Sequence, residues 1–128
     1  MPIYESGEDY LETILLLNRK TGYVRSIDIA NELNYSKPSI SRAMNILKED
    51  GFITVENGGQ IVLTEQGRAK AEAVYERHVT ITAFFEELLG VSPENAEHDA
   101  CKIEHIISDE SYQKLKEYMA QQSSASKQ

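Results

Sequence analysis

The chain has 128 residues, 41% of them hydrophobic, enough for one compact unit or for two short ones that lean on a partner. No apolar run approaches the roughly 20 residues of a membrane span, and the N-terminus lacks the basic-then-apolar pattern of a secretory signal, so a cytoplasmic protein without a membrane partner is expected. Acids outnumber bases 21 to 13, for a formal charge of −8; such a molecule repels nucleic acid as a whole, and DNA binding then requires a local basic patch or something that neutralises acids.

"SGEDYLETILLLNRKTG" predicts a first helix: Ser6 is placed to cap it, Tyr10, Ile14 and Leu17 repeat at helical spacing beside Leu11 and Leu15, and Gly22 ends it. "RSIDIANELNYSKPSISRAMNILKEDG" predicts two short helices, capped by Ser26 and Ser36, with a tight turn at Asn34 and Tyr35 between them. In the second of these, Ile40, Ala43, Met44 and Leu47 form an apolar stripe, which turns Ser39, Arg42 and Asn45 outward. "FITVENGGQIVLT" predicts a β-hairpin, two β-branched runs joined by Asn57, Gly58 and Gly59, residues that tolerate positive φ.

From Thr64 a long helical stretch runs to Gly90, and its second half (Ile81, Phe84, Phe85, Leu88, Leu89) is more apolar than one helix can hide alone. Ser92 and Pro93 signal a further helix, with an expected apolar face of Ile103, Ile106 and Ile107, and a last helix spans roughly Asp109 to Ala120. The predicted fold is therefore mostly α. A winged helix-turn-helix of three helices plus a β-hairpin wing occupies residues 1–70, an all-helical module 71–120, and the polar end 121–128 is expected to be a disordered tail. A symmetric homodimer is the simplest cover for the aromatics of so small a second module.

"HDACKIEHI", residues 98–106, holds two of the three histidines and the single cysteine, which cannot form an internal disulfide. Cys101, Glu104 and His105 fall at i, i+3 and i+4, placing a thiolate, a carboxylate and an imidazole on one helical side, and His98 lies two turns before His105. One helix rarely closes a coordination sphere, so other segments must contribute: Asp9 with Glu12, three apart on the first helix, and His78 on the long helix. Each has a plainer reading. Cys101 fits a buried small residue, Asp9 the acid of a capping box begun by Ser6, Glu12 a solvated acid, and His78 a surface histidine.

The outward face of the third helix has no acid between Ser36 and Lys48. Arg42 suits a guanine edge, Asn45 an adenine edge, Ser39 and Ser41 a phosphate or base, and Lys37, Lys48 and Arg25 phosphates. With Ser36 and Pro38 these residues make the candidate DNA-binding set, while the wing "ENGGQ" is not basic and is expected to add little.

"EDYLETI", the winged module, "YERH" and "ACKIEH", in that order over residues 3–120, resemble the iron-dependent repressor family typified by the diphtheria toxin repressor and the manganese transport regulator (DtxR/MntR). The resemblance implies a dimeric, metal-activated transcriptional repressor, with no enzymatic activity and no small organic substrate, acting on double-stranded operator DNA. It also implies two metal ions per subunit, joining the first helix to the dimerisation helices through Asp9, Glu12, His78, Cys101, Glu104 and His105. Asp9 matches the manganese-type members and Cys101 the iron-type, so the site is a hybrid; Thr82 stands where relatives often carry a glutamate. Hard oxygen donors suit manganese(II) or iron(II) as the cellular metal, and zinc, cobalt or nickel would bind at least as tightly in vitro.

Two divalent ions per subunit would also offset half of the formal −8, before any ligand loses a proton. Three other readings compete: a metal-independent winged-helix regulator responding to a small ligand, a metalloenzyme built on the Cys, Glu and His cluster, and a protein-binding scaffold. A fully protein-ligated site argues against the enzyme, and the basic stretch from Ser36 to Lys48 argues against the scaffold.

Overall fold

The computed structural model describes the backbone of residues 5–126 and the side chains of residues 7–122. The chain divides into two compact units, Met1–Ala73 and Val74–Gln128. In the first, helix α1 (Glu5–Thr21) buries Leu11, Ile14 and Leu15 completely or nearly so, each contributing about 1.5–3 kcal/mol by leaving water. Gly22 ends it at φ +79°, a conformation other residues adopt with strain, and its N–H closes on the Asn18 carbonyl at 2.8 Å. The helix already includes Ser6, whose side chain lies outside the described residues.

The N-cap of helix α2 (Ser26–Leu33) lies one residue before the expected Ser26: Arg25 occupies it and its N–H donates to Asp28 Oδ2 at 2.9 Å, so Ser26 is already helical. Asp28, three residues on, supplies the closing carboxylate that makes a hydroxyl at the cap unnecessary. Asn34, in the left-handed region at φ 59°, turns the chain toward α3 (Lys37–Glu49). There Ser36 caps as expected, its Oγ accepting from the Ser39 N–H at 3.3 Å. The buried stripe of α3 is Ile40, Met44 and Leu47, with Ala43 only half-buried.

Strands β1 (Ile53–Val55) and β2 (Ile61–Leu63) pair antiparallel in the register Ile53 to Leu63, Thr54 to Val62 and Val55 to Ile61. The connection is a single 3₁₀ turn, Asn57–Gly59, in which Gly58 and Gly59, not Asn57, take positive φ. The Ile61 N–H reaches back to the Val24 carbonyl at 2.7 Å, fastening the hairpin to the segment between α1 and α2. Thr64 caps α4 (Glu65–Ala83), accepting from the Gly67 N–H at 3.0 Å while donating to the Gly51 carbonyl at 2.7 Å.

In the second unit, α4 buries Val74 and Ile81, then widens into a π turn over Phe84–Leu88 before Gly90 (φ +71°). Helix α5 (Pro93–Ile106) begins after Ser92 with Pro93 in its first turn. Its inward face is Ala96, Ala100 and Glu104, not the expected isoleucines: Ile103 and Ile107 are half-buried and Ile106 is 74% exposed. Two alanines let α5 pack closely along a line that the isoleucines do not share. Helix α6 (Asp109–Ser126) continues past Ala120, so the segment expected to be a disordered tail is helical through Ser126. Gln, Ala and Ser carry little or modest helix penalty, and a polar helix end needs no core. Tyr112 anchors α6: it is buried, and its Oη lies 3.2 Å from Glu76 Oε1 and 3.3 Å from Thr80 Oγ1, both on α4.

Candidate metal centre and DNA-reading face

Within the second unit the fold brings together His78 of α4 with Glu104 and His105 of α5. Glu104 has no solvent exposure. Its Oε2 lies 2.9 Å from His78 Nδ1 in hydrogen-bond geometry, and its Oε1 lies 3.3 Å from His105 Nε2 without making a hydrogen bond. The His105 side chain is fully buried and that of His78 is 20% exposed. A carboxylate taken out of water is costly unless cationic or hydrogen-bonding partners compensate. One acid facing a different imidazole with each oxygen is therefore a poor structural element and a good N,O donor set for divalent transition metals. The donors present fit the metal that the sequence implies.

Cys101 lies one turn before Glu104 and is exposed, which excludes the reading of it as a buried packing residue. In the first unit, Asp9 is half-buried and Glu12 only 8% exposed, so Glu12 is not the solvated acid of the plainer reading. Since α1 begins before Ser6, Asp9 does not occupy the third position after a cap there. His98 faces solvent beside Asp99, 3.7 Å away, and Glu97 is also exposed.

On the first unit, Ser36, Lys37, Pro38, Ser41, Arg42, Asn45 and Lys48 are exposed along α3, and Arg25 is exposed at the start of α2. Ser39 is half-buried, and its hydroxyl is engaged by Ser36 at 2.8 Å, so it belongs to the cap as well as to the face. Among the described residues Lys37, Arg42 and Lys48 form no ion pair, which leaves their charge available to phosphate or base. Spacing gave no sign of Tyr23. Its ring lies under the Arg25 guanidinium, 5.3 Å from the centroid, its Oη accepts from Arg25 Nε at 3.4 Å, and it reaches the Gly58 carbonyl at 3.5 Å. A side chain outside the recognition helix thus links Arg25 to the tip of the wing.

The sequence profile of the iron-dependent repressor N-terminal DNA-binding domain matches residues 3–59, and that of the iron-dependent repressor metal-binding and dimerisation domain matches residues 64–125. The chain belongs to the iron-dependent repressor family. An HTH-type transcriptional regulator of Methanocaldococcus jannaschii is 34% identical over 90% of this chain and 93% of its own length. The HTH-type transcriptional regulator MntR of Geobacillus thermodenitrificans is 35% identical over 80% of this chain and 72% of its own. Among solved structures, IdeR of T. acidophilum superposes with a TM-score of 0.79 at 27% identity over 94% of this chain, which spans only 55% of that longer relative. As a member of the iron-dependent repressor family the chain is a transcriptional regulator and not an enzyme. The fold expected from the winged module and the helical module is the fold of that family.

Proposed function

We propose that this iron-dependent repressor binds operator DNA as a homodimer when loaded with manganese(II) or iron(II), two ions per subunit, and thereby controls metal homeostasis in the cytoplasm. The observation that carries the reading is Glu104, buried with an imidazole at each oxygen, in a chain whose residues 64–125 match a metal-binding and dimerisation domain. His78, Glu104, His105 and Cys101 would hold the ions from the second unit, and Asp9 and Glu12 from the first. Zinc, cobalt and nickel are expected to occupy the same donors in vitro. Nothing in the comparisons favours the metal-independent alternative.

Bound divalent cations supply the positive charge that these acids lack. The chain's own residues do the rest. Glu104 offers one oxygen toward each imidazole; Cys101, exposed, is accessible to lose its proton on ligation; Asp9 and Glu12, three apart on α1, tie the DNA-reading unit to the state of the site. Arg42 and Asn45 read base edges, while Lys37, Lys48 and Arg25 hold phosphates. The second copy is supported by apolar surface on the second unit, where Val79, Leu89, Ile106 and Tyr118 are 48%, 58%, 74% and 49% exposed.

Calorimetry with manganese(II), and a mobility-shift titration on DNA selected by the loaded protein, test the reading. Two ions per subunit and loss of DNA binding on chelation are expected. Equal DNA affinity with and without chelator would overturn it.

A further inference from the structure

Arg77 and His78 are neighbours on α4, and both hold the same residue of α5. His78 meets the Glu104 carboxylate, whereas Arg77 meets the Glu104 backbone: its Nη1 donates to the Glu104 carbonyl at 3.4 Å and to the Ile107 carbonyl at 3.1 Å. Nη2 pairs with the Asp109 carboxylate, and the guanidinium plane lies over the ring of buried Tyr112, 5.2 Å from its centroid. We infer that Arg77 is a positioning residue for the metal site, fixing the last turn of α5 so that Glu104 and His105 present their donors in one geometry. The inference rests on the metal-dependent reading above.

The reason lies in how α5 ends. The last carbonyls of a helix have no partner within it, and a left-handed glycine usually folds the chain back to satisfy them. Helix α5 has no such ending, since Ile107 leaves it in an extended conformation at φ −68°, ψ 138°. Glu104 and His105 therefore sit in a final turn that lacks a local lock and would fray. Arg77 replaces the lock from another helix, with a rigid fork that spans two carbonyls, a positive charge at the negative end of the α5 dipole, and Asp109 and Tyr112 of α6 holding the fork in place. Metal ligands tolerate misplacement of only about 0.5 Å, so loosening this turn acts on the site before it acts on the fold.

The test uses the full chain and cobalt(II), whose visible bands report ligand geometry, with Arg77→Met and Arg77→Lys. Removing the fork is expected to weaken cobalt(II) binding by about 10–100-fold and to shift the bands of the saturated protein. Arg77→Lys keeps the charge without spanning both carbonyls, and should recover only part of the affinity; it carries the test if Arg77→Met fails to fold. A purely structural role would lower the melting temperature of the metal-free protein and leave the saturated spectrum and the affinity unchanged. Wild-type-like spectra and affinities in the folded variants overturn the Arg77 role alone. A wild-type chain that binds no cobalt(II) overturns that role together with the metal-dependent function.

Discussion

Glu104→Gln separates the two things that a buried acid can be. If Glu104 served the fold as the anionic partner of the two imidazoles, the amide would be a poor substitute and the metal-free protein would lose stability; as a ligand for cations, Glu104 loses in the amide only the charge that a cation needs. The uncharged isostere removes a desolvation cost and still meets His78, so the melting temperature of the metal-free protein should hold or rise. Manganese(II) affinity by calorimetry should fall by more than about 100-fold, since removing a direct ligand exceeds the loss seen for outer partners. Gly67 gives a second contrast at this scale. A Cβ built there would sit 1.9 Å from the Phe52 carbonyl oxygen, so backbone, not a flexible side chain, must move. Gly67→Ala should therefore destabilise the winged unit by about 3 kcal/mol in urea unfolding, against the usual gain of alanine in a helix. In the sequence, Gly67 is merely a glycine inside a helical pattern. Which backbone comes near it depends on how the hairpin returns, and periodicity carries no information on that. The proposed ligands were more legible, because Cys101, Glu104 and His105 share a helical side by spacing alone. The burial of Glu104 was not, since the two alanines that create it are among the least conspicuous residues of α5.

At the scale of elements, punctuation in the sequence marks most boundaries: Gly22, Asn34, Ser36, the Asn57-Gly58-Gly59 turn, Gly90 and Pro93 all fall at breaks in the structure. Where it failed, a long-range or competing contact decided. Asp28 moved the cap of α2 from Ser26 to Arg25, and the end of α6 lay beyond any core residue that would have signalled it. Helix α6 is fastened to α4 largely by polar groups, and this gives it a pH dependence. The Lys116 ammonium beside Glu76, helped by the Tyr112 hydroxyl, holds the Glu76 carboxyl below its ordinary range against the opposing effect of burial. Glu76 in turn holds Lys116 above its ordinary range, chiefly through their hydrogen bond. A carboxyl lowered by folding stabilises above its unfolded titration range, and that stability is lost as pH falls through the folded one. An ammonium raised by folding stabilises below its unfolded range and loses this only at strongly alkaline pH. The pair is thus fully effective near neutrality, and its small contribution to holding α6 should be lost progressively as pH falls through the lowered Glu76 titration. Thermal unfolding of the metal-free chain from neutral pH into acid should show a shallower loss in Glu76→Gln than in the wild type. Both side chains are about half exposed, so solvent screening keeps the difference small.

For the whole molecule the governing fact is that a DNA-binding protein carries a formal −8. In the proposed function the basic face of α3 would answer this locally, and the metal would answer it globally. Under the proposed loading, two divalent ions would offset half the charge before any ligand loses a proton, and the acids proposed to engage them on α1 belong to the unit matched to the DNA-binding domain. Charge and geometry predict different salt dependence. A field effect acts across tens of ångströms at low ionic strength and is screened within about 8 Å at physiological salt, because the Debye length shrinks from roughly 30 Å at 0.01 M. A fixed spacing of two reading heads is not screened. The ratio of DNA affinities with and without manganese(II) should therefore be largest at low salt and should decline to a plateau above about 0.15 M. The height of that plateau measures what the metal does by holding the units in place, and the decline measures what it does by charge. A ratio independent of salt would assign the whole effect to geometry, and a ratio falling to one would assign it to charge alone.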